Sequence, residues 1–313
     1  MTRPVPRAPL DAAGRPLFEL PDELAIDTDV ARRVIGEFIR SQLQQAGFER
    51  IVVGLSGGID SGLVAHLVAE AIGAGQLHCV LMPYRTSSPG SRADAESLVA
   101  GLGCSSEVVE ITSMVDAYFG TASAAGAGSG AGSGGPGGLN AEPLRRGNFS
   151  ARMRMAVLYD RSVTWGGLVV GTGNKTESLI GYTTIYGDSA CAFNPIGDLY
   201  KSQVRQLAAA MGVPEVIISK APSADLWPGQ TDESEADFSY PDLDRLLFWR
   251  IDRRRSIEEL VEMGFDAAFV ARVERMVAAA EFKRQMPPVA KLGPRTAGVD
   301  YLYPRRRPGS ART

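Results

Sequence analysis

The segment Ile51-Val52-Val53-Gly54-Leu55-Ser56-Gly57-Gly58-Ile59-Asp60-Ser61 constrains this chain more than any other. Its first five residues form a short, apolar, β-branched run, the pattern of a strand buried on both faces of a parallel sheet. The run passes through a glycine turn into a helical pattern over Ser61–Ala71. That order puts the turn at the carboxyl end of a parallel strand, where open α/β sheets gather their ligands. Gly57 and Gly58 let the backbone approach an anion closely, and the helix N-terminus presents partial positive charge to it. Ser56 and Ser61 add hydroxyl donors. Asp60 is the odd member, because a carboxylate beside phosphate oxygens is repulsive unless a cation lies between them. That points to Mg2+. The turn lacks the lysine of GxxxxGK[ST], and its form SGGxDS is much rarer than GxGxxG.

The alternation continues along the chain. Apolar residues at helical spacing cover Asp27–Ala46, with Asp27 or Thr28 as the cap. Further strands are expected at Leu77–Met82, Glu107–Ile111 and Leu168–Gly171, and helices at Ala93–Leu102 and Ala151–Trp165. After Tyr200 the pattern is mainly helical, at Gln203–Met211, Leu243–Phe248, Ile257–Met263 and Ala267–Lys283. Strands separated by helices imply a doubly wound parallel α/β sheet with helices on both faces, here with a helical C-terminal part. One domain is expected over residues 26–290, with an N-terminal extension at 1–25 lying over the surface and a C-terminal tail at 291–313 that carries no motif. Residues 120–147 are expected to be a flexible insert, because Gly120–Gly138 is almost entirely Gly, Ala and Ser, too poor in large apolar groups to offset its ordering entropy.

Composition narrows the function classes. A chain of 313 residues with 44% hydrophobic and 22% charged residues can bury an ordinary core without staples. The formal net charge of -3 argues against non-specific nucleic-acid binding, which needs clustered cations. Arg253–Arg255 reads as a solvated helix face and Arg305–Arg307 as a charged tail. Cys79, Cys104 and Cys191 are scattered and form no CxxC pair, and two histidines leave a zinc site few ligands. Such usage suits the reducing cytoplasm. No apolar run reaches the ~20 residues of a membrane span, and Met1–Leu20 lacks the apolar stretch of a secretory signal.

The loop SGGIDS resembles the signature of the ATP-pyrophosphatase, or PP-loop, superfamily, whose members cleave ATP to AMP and pyrophosphate. Four further stretches narrow the choice: Asn148–Met155; Gly171–Glu177 with Gly181-Tyr182 and Tyr186-Gly187-Asp188; Asn194–Lys201; and Ala221–Trp227 with Gly229–Glu233. In order and spacing they resemble the NAD synthetase family over about residues 30–290, closest to its ammonia-dependent, single-domain bacterial members. The resemblance implies an adenine-nucleotide alpha-hydrolase-like fold and a two-step reaction. The nicotinate carboxylate of deamido-NAD is adenylated by ATP, and ammonia then displaces AMP to give NAD. A loop beginning near residue 54 leaves no room for an amidase domain, so free ammonia is the expected nitrogen donor. A homodimer with its substrate site partly at the subunit interface is also implied, with no nucleic-acid or membrane partner.

Residue roles carry over position by position. Gly54, Leu55, Ser56, Gly57, Gly58, Ile59, Asp60 and Ser61 are the ATP-binding loop, joined by Thr172, Lys201 and Ser223. Asp60 and Glu177 are the expected Mg2+ ligands, and Arg152 is the expected deamido-NAD contact, a guanidinium being suited to an anionic dinucleotide. Tyr84–Arg92 and Ala221–Glu235 map to mobile loops that shield the acyl-adenylate from water. No catalytic acid or base is assigned, since adenylation is work of positioning and electrostatics. The sequence departs from some members at Ile185 and Ala192, where lysine and aspartate stand, and at Phe282, which leaves Lys283 a weaker candidate. Rival readings are a tRNA-thiolating enzyme, a GMP or asparagine synthetase core, or a non-catalytic ATP sensor. The scattered cysteines count against the first, NKTESLIGY with PSADLWPGQTDE against the second, and the joint presence of Asp60, Glu177 and Lys201 against the third.

Overall fold

The structure, a computed structural model, describes residues 8–10, 14–126, 141–220 and 238–297. Helix α1 (Thr28–Ala46) starts where the Asp27 carboxylate accepts from the Val30 N–H at 3.0 Å, and ends at Gly47 with φ 73°. There follow β1 (Arg50–Gly54), α2 (Ile59–Ile72), β2 (Leu77–Leu81), α3 (Pro89–Leu102), β3 (Ser105–Val108), α4 (Thr112–Gly126), α5 (Ala141–Trp165) and β4 (Gly167–Val170). The four strands pair in parallel in the order β3-β2-β1-β4. Strand β1 thus has β2 on one side and β4 on the other. The crevice above the carboxyl ends of β1 and β4 is a topological switch point, where doubly wound folds bind ligands. Phe193 adds one parallel bridge to Val170.

Strand side chains divide between the two faces with period two. Ile51, Val53, Leu77, Cys79 and Leu81 pack on one face against Ile39 and Leu43 of α1, Leu63 and Leu67 of α2 and Leu98 of α3. Val52 and Val80 pack on the other, against Val115 and Phe119 of α4 and Val157 of α5. Each such side chain contributes roughly 1.5–3 kcal/mol by leaving water. The sheet is therefore sandwiched as the sequence implies.

Beyond the sheet come α6 (Lys175–Ile180), α7 (Lys201–Ala210), α8 (Glu215–Ile218), α9 (Tyr240–Leu247), a π-turn (Phe248–Asp252), α10 (Ile257–Glu262) and α11 (Ala267–Ala279). A separate apolar cluster unites Ile180, Tyr200, Leu243, Leu246, Leu260 and Val270, and Leu24 from the N-terminal segment is buried within it.

Several expectations need correction. The third strand lies at Ser105–Val108, earlier than Glu107–Ile111, because it is the sheet edge and its polar residues give no apolar run. Ile111 instead leads into α4, a helix the sequence pattern did not suggest. Gly120–Gly126 belong to α4 and Ala141–Gly147 to α5, so only 127–140 of the expected insert lie outside the described residues. Alanine supports a helix even where large apolar groups are lacking. The segment before α1 is more than surface cover: Phe18 and Leu24 are buried, Gln203 Nε2 donates to Leu24 O at 3.0 Å, and Gln206 exchanges two hydrogen bonds with Ile26. Arg253–Arg255 lie in the turn before α10 and not on a helix face, with Arg255 paired to Glu259 at 2.8 Å.

Candidate active site

The glycine loop leaves the end of β1 and caps α2. Ser56 Oγ accepts from the Gly58 N–H at 3.2 Å, and Ser61 Oγ accepts from the Ser56 N–H at 3.2 Å while donating to Gly58 O at 3.1 Å. Both hydroxyls expected to face an anion thus brace the loop's own backbone. Gly57 has φ +77°, and a Cβ there would fall 1.9 Å from Ser91 O. Only glycine fits, because the first turn of α3 backs directly onto the loop.

The neighbouring strand end supplies the second half. After β4 the chain runs through Thr172 and Gly173 to Asn174, which starts α6 with a reciprocal cap: Asn174 Oδ1 accepts from the Glu177 N–H at 2.9 Å and the Asn174 N–H donates to Glu177 Oε2 at 3.2 Å. Asn174 is fully buried, and its Nδ2 donates to Asp60 Oδ1 at 3.0 Å. Lys201, the first residue of α7, places Nζ 2.5 Å from Asp60 Oδ2 and 3.4 Å from Glu177 Oε1, with its side chain 3% exposed. Two acids from adjacent strand ends therefore converge on one cation position beside the loop.

These groups open into a cavity of about 760 Å³, ample for a nucleotide. Its walls carry Arg92, Arg154, Lys201, Lys220 and Lys283 against Asp60, Glu177 and Asp188, an excess of positive charge that suits a polyphosphate. Lys220 Nζ is held by Ser91 Oγ at 2.9 Å and Asp94 at 2.8 Å, on the helix turn that backs Gly57. Lys283 Nζ donates to Gly181 O and Thr183 O, both at 2.7 Å, and burial lowers its pKa below the usual lysine range. Among the described residues, no group of three or more His, Cys, Asp and Glu could hold a metal alone. Asp60 and Glu177 share the Lys201 ammonium as their cation here, and the same pair of carboxylates is the kind of donor set that Mg2+ takes when phosphates and water complete its shell.

Residues 54–56 and 58–61, Thr172, Glu177 and Lys201 all line this cavity. Gly57 supports it from behind. Arg152 does not line it; Arg154, on the same helix, does, with Nε donating to Met82 O at 3.1 Å. Ser223 and the expected loop Ala221–Glu235 fall outside the described residues. The loop Tyr84–Arg92 forms part of the wall through Ser87, Ser88, Ser91 and Arg92, and is anchored by buried Tyr84, whose hydroxyl donates to Asp116 at 2.9 Å.

The NAD synthase family description matches residues 31–287. The chain belongs to the NAD synthase family. Within it, the NH(3)-dependent NAD(+) synthetase of Trichlorobacter lovleyi is 47% identical over 282 residues, covering 90% of this chain and 97% of that protein. The corresponding protein of Chlorobaculum tepidum is 43% identical over 91% of this chain and 97% of its own length. Among solved structures, the NH3-dependent NAD synthetase of Campylobacter jejuni, in complex with the nitrate ion, superposes with TM-score 0.68 at 32% identity, covering 85% of this chain and all of that one. The NMN synthetase of Francisella tularensis gives TM-score 0.71 at 26% identity, covering 85% and 99%. The parallel sheet flanked by helices is thus the fold of this family.

Sequence reasoning singled out the family motifs but left Asn174, Lys220 and Arg154 without roles. Asn174 carried a usable signal in the Asn-x-x-Glu capping spacing. Lys220 and Arg154 gave none, because their place in the wall depends on the packing of α3, α5 and α8.

Proposed function

We propose that this chain makes NAD from deamido-NAD, ATP and ammonia in the cavity above β1 and β4. It is an enzyme, a ligase that forms a C–N bond. The observation that carries the reading is the convergence of Asp60, Glu177 and Lys201 beside a glycine loop at the switch point of the sheet.

The loop amides and the α2 N-terminus would grip the pyrophosphate part of ATP. Lys201 and Lys220 supply positive charge to the phosphates, lowering the repulsion met by an incoming carboxylate. Mg2+, held by Asp60 and Glu177, would draw charge from the departing pyrophosphate. A nicotinate carboxylate oxygen then bonds to the α-phosphorus as pyrophosphate leaves. Ammonia next attacks the acyl carbon, AMP departs with the electron pair of its bond to that carbon, and the extra proton passes to solvent. Thr172, at the β4 end, and Ser223 are proposed ATP contacts, and Arg152 a deamido-NAD contact. Exposed Met114, Tyr118, Leu144 and Val163 on α4 and α5 support a homodimer, whose second subunit is the natural place for Arg152 to act. Among the described residues no helix is long and apolar enough to cross a membrane; a cytoplasmic location is proposed from the cysteine usage.

The test is NAD formation from deamido-NAD, ATP, Mg2+ and ammonium, against glutamine as the nitrogen source. Nicotinate mononucleotide belongs in the same assay, since the NMN synthetase of F. tularensis shares the fold. Ammonium-dependent NAD with stoichiometric AMP is expected. AMP formed with xanthylate or tRNA, but not with deamido-NAD, would reject the assignment.

A further inference from the structure

Asp244 lies on α9, outside every motif that carries the family likeness, yet it is fully buried. Its Oδ1 accepts from the Thr176 hydroxyl at 2.5 Å, and its Oδ2 accepts from both the backbone N–H and the hydroxyl of Ser202 at 2.7 Å. The Thr176 oxygen in turn accepts from the Lys201 N–H at 3.0 Å. Thr176 precedes Glu177 in the first turn of α6, and Lys201 and Ser202 open α7. The first amides of a helix need acceptors from outside it. Tyr200, which precedes α7, turns its hydroxyl to Asp252 at 3.2 Å, so Thr176 takes the Lys201 amide, Asp244 takes the Ser202 amide, and the Thr176–Asp244 bond ties the starts of α6 and α7 together. A buried carboxylate is tolerated only when fully hydrogen-bonded, and three donors together with the positive end of α7 satisfy it here.

We propose that Asp244 is a positioning residue of the ligase reaction: by joining the first turns of α6 and α7 it keeps Glu177 and Lys201 aimed at Asp60 without touching substrate. The proposal rests on the assignment of those three residues to the ATP and Mg2+ site. An apolar residue at this position would fill the space but leave the Ser202 and Thr176 donors unanswered. Asparagine would keep the shape and turn one acceptor into a donor that faces another donor.

The test compares the full chain with Asp244→Asn and Thr176→Val. It uses calorimetric binding of a non-hydrolysable ATP analogue with Mg2+, kcat and KM for ATP and for deamido-NAD, and thermal melting. Asp244→Asn should stay folded and lose about 10–100-fold in analogue affinity and in kcat/KM for ATP, with KM for deamido-NAD little changed. Thr176→Val removes only the hydroxyl bridge and should move the same quantities less. It also keeps the proposal testable if Asp244→Asn fails to fold. Folded variants that bind the analogue and turn over within about twofold of the unaltered chain would overturn the inference, as would a lower melting temperature with unchanged kinetic constants. The analogue-binding comparison judges Asp244 even if the unaltered chain forms no NAD, a result that would fall on the reaction and not on this residue.

Discussion

The glycine-loop end of the sheet and the helical C-terminal part aim polar groups into the same cavity by opposite means. In the loop, Ser56, Gly58 and Ser61 fix one another within five residues of sequence, so a short motif carries its own geometry. In the helical part, Lys201, Thr176 and Asp244 meet across 25 to 68 residues, and Lys175 reaches Asp252 across 77. A local motif survives as a readable string. A tertiary clamp survives only as a packing arrangement. The turn hydrogen bonds of the glycine loop are thus encoded locally, whereas the aim of the charged side chains is encoded by the fold.

The largest expected effect is at the point where the two regions meet. Asp60→Asn removes the carboxylate shared by Lys201 and Asn174, and turnover should fall by about 10²–10³-fold while the melting temperature holds within about 4 °C. Near-normal turnover would remove the metal role proposed for Asp60. Gly57→Ala attacks the loop where α3 backs it. A left-handed backbone costs a non-glycine residue about 1–2 kcal/mol, and the added Cβ would collide with Ser91 O, so kcat/KM for ATP should drop about 10²-fold. If that variant binds ATP normally, the positive φ of Gly57 and its contact with Ser91 do not set the shape of the ATP site.

A pH titration probes the helical part. Burial lifts the Asp244 pKa from 3.8 to about 6, against the opposing pull of its hydrogen bonds to Thr176 and Ser202 and of the nearby Lys201 charge. Because the folded-state value is the higher one, this group's contribution to stability is fully present below pH 3.8 and is lost as pH rises through about 6. Activity should run the other way. The protonated acid presents a donor to a donor, so kcat/KM should fall about tenfold per unit below pH 6, and a profile flat from pH 7 to 5 would contradict this. The smallest effect is expected at Ile180, buried in the C-terminal cluster at the far end of α6 from Glu177. Ile180→Val should lower stability by about 0.5–1.5 kcal/mol in denaturant titration, with kinetic constants unchanged. A kinetic change there would mean that α6 transmits packing defects directly to the site.

The fold was legible wherever burial produced a pattern. β1, β2 and β4 are apolar runs, and α1 shows helical spacing and a clear cap. β3 was misplaced because three of its four residues, Ser105, Ser106 and Glu107, are polar, and α4 was missed because its second half is alanine, serine, threonine and glycine and carries little hydrophobic signal. Of the site, the glycine loop, Asp60, Thr172, Glu177 and Lys201 could be read from motifs, and the structure gathers them in one cavity. Asp244 and Lys220 could not, since their neighbours in space are remote in sequence, and Arg154 stood within Asn148–Met155 without a role because its partner Met82 lies 72 residues away.

The segment that precedes α1 bears on where the working unit begins. Gln203 and Gln206 stitch the backbone at Leu24 and Ile26 to α7, the helix whose first residue is Lys201. A shortened chain starting at Thr28 would keep every recognisable motif and lose the anchor of the helix that delivers the ammonium group. The folded unit thus extends beyond the matched family region of residues 31–287, and a chain trimmed to that region is expected to hold Lys201 less firmly.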